Sequence, residues 1–412
     1  MRVLISISAL LLSVFLFQMS TGTLGPLDAL SGLAIGFSRT EIGLIGSSHF
    51  VGFILGCFIA PMLVRRVGHA RTFTFVAGLS IIGVLLHPIW PNLYFWMILR
   101  VFSGIAVAGA ATVIESWLNA KLTNENRSRY YSFYRTFDMT GALCAQILIA
   151  TLPPAVYLSY SLVAILLCLS FFPLALTQSV QPTLPDHNRW RPFLAVQISP
   201  LAVVAVLIVG ATGAAIRMIG PVFAFDNALS NAQIAMFLAL FVLGGALSQF
   251  PIGFLADKFA KRTLMMVLSF ATIIMSALMQ IPLFALWLGD QQIFILAFFF
   301  GMATMPLYSL AATHANDLCQ TEDMTDLSAS LIFFFAIGAI ASPVLAGSLI
   351  DQFGPNSLFI YFAMLHIGLF LFGAYRVMKR PVIHFTKPYR YIPRTSLFIA
   401  KTVKSLRGQQ SE

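Results

Sequence analysis

Gly253-Phe254-Leu255-Ala256-Asp257-Lys258-Phe259-Ala260-Lys261-Arg262 lies between two long apolar segments of the chain. It combines one carboxylate with three cations. A hydrophobic hairpin that crosses a bilayer and returns carries such basic residues in its cytoplasmic turn. We therefore interpret residues 253–262 as the corner between two membrane-spanning helices.

A degenerate copy of this corner occurs earlier in the chain, at residues 61–71. The spacing between Arg65 in that copy and Asp257 is 192 residues (257 − 65 = 192). Other residues recur at the same interval: Gly52 with Gly244, and Ile42 with Ile234. The sequence therefore predicts two related halves, each with a basic corner after its second apolar segment.

The composition is that of a membrane protein. The chain has 412 residues, of which 58% are hydrophobic and only 10% charged, whereas a soluble domain carries about 25% charged residues. The first apolar segment, from Val3, is longer than a signal-peptide core and is interpreted as a retained helix. The net charge of +10 does not indicate nucleic-acid binding, because the cations cluster in loops and in the tail.

A bilayer-spanning helix needs about 20 apolar residues, and twelve segments meet that length. They are residues 3–28, 40–64, 72–90, 93–119, 128–152, 154–176, 197–222, 231–256, 263–286, 290–315, 326–350 and 355–378. The predicted fold is all-α, with two pseudo-symmetric six-helix halves. The predicted domains are an N-terminal bundle (1–176), a cytoplasmic linker (177–197), a C-terminal bundle (198–378) and a basic cytoplasmic tail (379–412).

Lysine and arginine positions predict the orientation, because cytoplasmic loops hold the excess of both. Placing both termini in the cytoplasm puts Arg65, Arg66 and Arg71 inside, and leaves Arg39 as the cation of the short outer loops. The tail is predicted either as a helix on anionic lipid or as a disordered basic segment.

These features resemble the major facilitator superfamily over nearly the whole chain up to Lys379. The family's corner motif is matched by Gly253, Leu255, Ala256, Asp257, Lys258, Lys261 and Arg262, with Ala260 in place of a glycine. Its helix 4 motif matches Arg100 and Gly104. Three further stretches resemble the YcaD-like branch: residues 66–69, 115–119 and 314–317. The resemblance implies the major facilitator fold and solute transport, and it implies no substrate.

A charge inside a spanning helix costs a few kcal/mol, so it usually faces a cavity or a partner. Arg100 is predicted to sense substrate or proton, as the family motif implies, or to be satisfied by helix-end carbonyls. Glu115, near the inner end of helix 4, is predicted to carry a proton or to anchor helix 5. Arg135 and Asp138 are three residues apart and can pair. Their pair either couples transport to protonation of Asp138 or is a permanent structural contact.

Substrate contacts are predicted at further polar positions in the spanning helices. Arg217, before Gly220-Pro221, is a candidate to receive an acidic substrate, the alternative being a side chain that reaches outer headgroups. Four weaker candidates for the cavity have interhelical hydrogen bonding as their alternative: Gln18, His49, Gln146 and Gln249.

A cytoplasmic gate is predicted from charges exchanged between the two corners. Arg65 replaces the acid of the first corner and would need an acidic partner such as Asp326. Asp257 keeps its sign and would meet Arg127 or Arg129 at the start of helix 5. The alternative is that these are ordinary solvated loop charges.

The leading functional prediction is a secondary transporter of the inner membrane that moves a small organic solute by alternating access, coupled to protons. The alternative is a transporter-like sensor or lipid translocator without such coupling. An enzyme is not predicted, because only residues 314–317 approach a catalytic cluster. No phosphate-binding loop, metal site or cofactor is predicted. The expected partners are a small-molecule substrate, protons and membrane lipids, and the expected state is a monomer.

Overall fold

The computed structural model describes residues 2–121, 124–175, 191–281 and 291–379, and for residues 2–7, 117–121, 124–129, 131, 174, 175 and 321 it describes the backbone alone. The regular elements in these ranges are helices. They are α1 (Arg2–Ala34), α2 (Arg39–Val67), α3 (His69–Leu86), α4 (Leu93–Lys121), α5 (Asn124–Leu148), α6 (Tyr157–Leu169), α7 (Phe172–Ala175), α8 (Leu194–Ile198), α9 (Pro200–Met218), α10 (Gly220–Asp226), α11 (Asn231–Lys258), α12 (Lys261–Leu278), α13 (Gln291–Thr304), α14 (Leu307–Leu318), α15 (Met324–Phe353) and α16 (Ser357–Lys379), with short 3₁₀ turns.

The predicted all-α membrane fold is confirmed. In the described ranges, 10 helical spans are long and apolar enough to cross a membrane. Two of the twelve predicted segments fall short of that measure: α5, which begins with a charged stretch, and α6, which has 13 residues. Two others are broken at proline. Pro221 is at the start of α10, and Pro306 caps α14, because proline cannot continue the hydrogen-bond ladder of the preceding helix.

The described helices pack as two compact units. The first contains α1, α2 from Leu44 onward, and α3 to α7. The second contains Ser38–Gly43 and α8 to α16. Most of the predicted linker and all of the tail from residue 380 lie outside the described residues, and α8 occupies the end of the predicted linker. The predicted boundaries of the two bundles remain a prediction.

Glycines allow the second and fourth spanning helices of each unit to cross in close contact. In the first unit, a Cβ on Gly52 would lie 2.0 Å from the Val101 carbonyl oxygen, and one on Gly104 would lie 1.9 Å from that of His49. In the second unit, a Cβ on Gly244 would lie 2.0 Å from the Phe298 carbonyl oxygen, and one on Gly301 would lie 2.0 Å from that of Phe241. Since a real Cβ cannot occupy such space, backbone contact here requires glycine.

The same arrangement recurs between the first and fifth spanning helices of each unit. A Cβ on Gly141 in α5 would lie 2.6 Å from the Phe15 carbonyl oxygen in α1. In the second unit, a Cβ on Gly338 in α15 would lie 2.0 Å from that of Leu207 in α9. The internal repeat therefore preserves the small residues at which helices touch.

The first turn of α2 is satisfied by side chains of the second unit. Asp351, in α15, accepts hydrogen bonds from the backbone N–H groups of Arg39 (3.2 Å) and Thr40 (2.8 Å). It also accepts one from the Thr40 hydroxyl (2.6 Å). The Arg39 guanidinium pairs with Asp226 at 2.7 Å. Asp351 thus acts as an N-cap from a neighbouring helix, since the first N–H groups of a helix have no partner within it.

Candidate functional site

Four polar side chains meet inside the first unit, and we call Asp28, His87, Arg100 and Tyr160 the buried quartet. They come from α1, the end of α3, α4 and α6. Asp28 and His87 are 0% exposed and Arg100 is 6% exposed. The Tyr160 hydroxyl donates a hydrogen bond to Asp28 Oδ1 at 3.0 Å. Arg100 Nη1 lies 3.5 Å and His87 Nε2 lies 3.4 Å from Asp28 Oδ2.

Aromatic rings enclose the buried quartet. The Tyr160 ring is stacked on the His87 ring, with centroids 5.6 Å apart and planes at 10°. Trp96 lies 5.1 Å from His87 between ring centroids, and its Nε1–H donates to the His87 carbonyl at 2.9 Å. These contacts fix the imidazole ring beside the carboxylate and hold water away from both.

Three polar atoms of the buried quartet make no hydrogen bond to any residue that the structure describes. They are Asp28 Oδ2, His87 Nε2 and Arg100 Nε. A buried polar atom without a hydrogen bond costs about 1–3 kcal/mol, and a catalytic role or a bound water is among the reasons for which proteins retain one. Within the described ranges, no three His, Cys, Asp or Glu residues are grouped so as to hold a metal ion.

Arg135 and Asp138, predicted to pair on α5, lie in contact. Arg135 Nη1 is 2.5 Å from Asp138 Oδ2. Their side chains are 22% and 13% exposed, so the pair is largely withdrawn from the surface without being sealed. This arrangement can exchange a proton at Asp138 and present Arg135 to an anion.

Further buried polar contacts lie near the C-terminal end of α4 and at the start of α12. Glu115 is completely buried, and its neighbour Ser116 contacts His69 Nε2 through its hydroxyl at 2.8 Å. In the second unit, Lys261 Nζ lies 2.7 Å from Asp317 Oδ2. The latter pair joins the basic corner to residues 314–317, the stretch closest to a catalytic cluster in the sequence. Asp317 is therefore held in an ion pair.

The weaker candidates are mostly occupied by contacts between or within helices. His49 Nδ1 meets the Ser103 hydroxyl at 2.8 Å, and Gln146 Nε2 is 3.4 Å from the carbonyl oxygen of Gly22. Gln249 donates to Gly245 in its own helix. Gln18 is partly buried in α1, next to the α5 crossing at Gly141. These placements agree with the hydrogen-bonding alternative for His49 and Gln146.

The remaining candidates differ in exposure. Arg217 is exposed in the last turn of α9. Arg65 and Asp257 are exposed near the C-terminal ends of α2 and α11, and Asp326 is partly buried in the first turn of α15. Arg127 and Arg129 belong to the part of α5 whose side chains lie outside the description.

A cavity of about 640 Å³ opens in the second unit at the ends of α10 and α12 and the starts of α11 and α13. Its walls include the side-chain amides of Asn227, Gln233, Gln280, Gln292 and Asn356. None of the residues predicted from the sequence lines it. Such a wall offers hydrogen bonds without formal charge.

Asp28 and His87 were not predicted as functional residues. The first spanning segment was predicted to end at residue 28, so Asp28 stood at its boundary, whereas α1 continues to Ala34 and leaves Asp28 well inside. A carboxylate two residues after Gly25-Pro26 was the available signal. His87 carried no signal of its own, because its partners are distant in the sequence.

Comparison with known families is consistent with this architecture. The model of the Major Facilitator Superfamily matches residues 10–226 and 201–403. The MFS-type transporter YcaD of Escherichia coli O17:K52:H18 is 25% identical over 362 residues, which is 86% of this chain and 90% of that protein. An MFS-type transporter of Enterobacter sp. (strain 638) is 24% identical over 325 residues, 78% of this chain and 83% of that protein. Both relatives are described as uncharacterized.

Two solved structures share the fold. The nucleoside transporter NupG matches with a TM-score of 0.74 at 12% identity, over 91% of this chain and 98% of its own. A bacterial homolog of the human lysosomal transporter Spinster, inward-facing and unoccupied, matches with a TM-score of 0.71 at 14% identity, over 98% of each chain. At such identities the likeness extends to the fold alone.

Proposed function

The chain belongs to the major facilitator superfamily, and from that premise we propose that it is a secondary active transporter of the bacterial inner membrane. It moves a small organic solute by alternating access and is coupled to protons. The observation that carries this proposal is the buried quartet. A carboxylate, an arginine and a histidine buried among apolar helices cost free energy, and proton coupling supplies a reason for that cost.

Asp138 and Glu115 are proposed as further proton carriers. Protonation of Asp138 would remove its negative charge, and Arg135 would then be available to an anionic group of the solute. Glu115 is completely buried, where exchange of a proton changes the charge of the inner end of α4. Arg100 belongs with the proton-handling groups, because Asp28 already faces it.

Solute binding is proposed at Arg135 and Arg217, with Gln18, His49, Gln146 and Gln249 as polar contacts of lesser weight. An arginine can hold a carboxylate or phosphate with two parallel hydrogen bonds. The solute class favoured by this set is therefore a small organic anion.

A screen for ligands tests the proposed function. Purified protein is heated with a panel of metabolites and drugs, and the unfolding temperature is compared with that of Arg217→Ala and Asp138→Asn. We expect an anionic solute to stabilise the parent protein, to lose this effect in Arg217→Ala, and to keep or strengthen it in Asp138→Asn, which no longer holds Arg135 in an ion pair. Arg217→Lys is the matched control that keeps the charge.

The solute found in this way is then tested for counterflow in proteoliposomes, with and without a pH gradient. Accumulation that grows when the gradient is imposed supports proton coupling. Binding without counterflow would instead favour a sensor or lipid translocator and overturn the proposal.

A cytoplasmic gate is also proposed, in which Arg65 pairs with Asp326 and Asp257 pairs with Arg127 or Arg129. Exposed pairs contribute about 0–1 kcal/mol, enough to bias an equilibrium without locking it. Arg65→Glu should slow counterflow, and Arg65→Glu combined with Asp326→Arg should restore it. Arg66→Glu makes the same charge change one residue away and should have no partner to restore it. Equal behaviour of both arginine variants with Asp326→Arg would exclude the first pair.

A further inference from the structure

We propose that His87 is the residue that takes up a proton in the buried quartet, and that this proton moves Asp28 Oδ2 from Arg100 to His87. Only the link between this switch and solute movement rests on the proposed function. The proton uptake itself can be tested without a solute.

The hydrogen bonds of His87 determine which of its nitrogens is open to a proton. Nδ1 lies 2.7 Å from the carbonyl oxygen of Gly83, and a carbonyl oxygen can only accept. Nδ1 therefore carries a hydrogen. In the neutral ring, Nε2 then has a lone pair and no hydrogen, and it lies 3.4 Å from Asp28 Oδ2.

Two acceptors that face each other are joined only when a proton lies between them. In the proton-free state, a lone pair of Asp28 Oδ2 faces the lone pair of His87 Nε2, and the two atoms repel. The negative charge of Asp28 is then balanced by Arg100 alone. With one proton added, His87 Nε2–H can donate to Oδ2. The site thus has a defined place for one proton.

Arg100 competes with His87 for the same oxygen. Asp28 Oδ1 is already engaged by the Tyr160 hydroxyl, which leaves Oδ2 to the other two groups. Their distances from it, 3.5 Å and 3.4 Å, are nearly equal, and both exceed an ordinary hydrogen bond. Asp28 Oδ2 therefore lies between Arg100 and His87, and it can form a hydrogen bond with one of them when the other moves away.

The surroundings of His87 make the competition strong. Among the described residues, the titratable or charged groups facing it are Asp28 from α1, Arg100 from α4 and Tyr160 from α6. All are buried, so their charges are little screened. His87 directly follows α3 and begins the connection to α4, in which Trp90 and Asn92 are exposed. His87 therefore lies next to the exposed connection between α3 and α4.

The fluorescence of Trp96 can report the protonation of His87. Its ring lies 5.1 Å from that of His87, and a protonated imidazole quenches indole fluorescence more strongly than a neutral one. The experiment uses the full chain in detergent with Trp90, Trp117, Trp190 and Trp287 replaced by Phe. Trp96 emission is followed across the range in which histidine titrates, on both sides of about pH 6.5.

We expect a single quenching step that disappears in His87→Gln. Asp28→Asn removes the attracting charge and should move the midpoint to lower pH, whereas Arg100→Gln removes the repelling charge and should move it to higher pH. Each shift should be about one pH unit or more, as for charges at this separation. Opposite shifts distinguish a proton site from a merely structural contact.

No quenching step in the parent, a step that survives His87→Gln, or shifts of the same sign would each overturn the proposal. If His87→Gln does not fold, the two opposite shifts decide alone. Failure of counterflow with the titration intact would reject the transport proposal and leave the proton site standing. Normal counterflow without a quenching step would reject the proton site and leave the transport proposal standing.

Discussion

Two ion pairs of the second unit have nearly the same length and very different surroundings. Lys261 and Asp317 are 2.7 Å apart with side chains 6% and 8% exposed. Arg191 and Asp323 are 2.8 Å apart with side chains 43% and 36% exposed. Breaking a buried pair leaves a charge without its partner in a poorly solvating environment, whereas exposed charges return to water. Burial, and not distance, should therefore decide what each pair contributes.

Lys261→Met should lower the free energy of unfolding by about 3–5 kcal/mol. Replacing both partners, as Lys261→Met with Asp317→Leu, should recover most of that loss because no charge remains unpaired. Arg191→Met is the matched control and should cost about 0–1 kcal/mol. Unfolding in a denaturing detergent measures all three. Similar losses for Lys261→Met and Arg191→Met would contradict the argument.

At this scale, sequence reasoning finds contacts that are local. Arg135 and Asp138 are three residues apart on one helix, and the structure has them in contact. Asp28, His87, Arg100 and Tyr160 lie on four elements spread over 132 residues (160 − 28 = 132). A single sequence contains the residue types but not their meeting point, because that is set by how the helices pack.

Helix crossings in both units depend on glycines that face carbonyl oxygens. A methyl group at Gly104 or Gly301 would lie 1.9–2.0 Å from the oxygen opposite, so the helices would have to separate. At Gly368, in α16, a Cβ would meet nothing within 4 Å. Alanine is the better helix former by about 1 kcal/mol, so the sign of the effect depends on the space available.

Gly104→Ala and Gly301→Ala should each destabilise the protein by about 1–3 kcal/mol, the usual cost of overpacking. Gly368→Ala should be neutral or stabilising. The melting temperature in one detergent compares the three directly. A stable Gly104→Ala would mean that the crossing is wider than described.

The first turn of α2 is capped by Asp351 from α15. Asp351→Ala should cost about 0.5–2 kcal/mol, as loss of an N-cap usually does. Asp351→Asn retains a carbonyl oxygen and should lose less. Proteolysis or hydrogen exchange at residues 38–43 provides the local readout. Equal protection in all three proteins would exclude a capping role.

Spanning helices were predictable as elements because each needs a long apolar run, and the observed bounds lie close to those expected. The ends are less predictable. Helix α3 stops at Leu86 rather than at residue 90, since Pro88 and Pro91 follow. Helix α1 continues past residue 28 to Ala34, since a buried carboxylate that meets partners can stay in a spanning helix.

For the whole molecule, the distribution of lysine and arginine predicts that both termini are cytoplasmic. A green fluorescent protein fused after Glu412 should fluoresce, and alkaline phosphatase at the same place should be inactive. Fusions within the outer connection at residues 87–92 should show the opposite pattern. Phosphatase activity at the C-terminus would invert the predicted orientation.

The spacing between equivalent crossing glycines is not the same throughout the two halves. Gly52 and Gly244 are 192 residues apart (244 − 52 = 192), whereas Gly104 and Gly301 are 197 apart (301 − 104 = 197). The two halves therefore differ in length by five residues between their second and fourth spanning helices. Helix α3 ends 192 residues before α12 does (278 − 86 = 192), so the difference in length lies between Leu278 and Gln291. Because the two halves differ in length there, we expect residues 282–290 to accept an inserted epitope with little loss of stability.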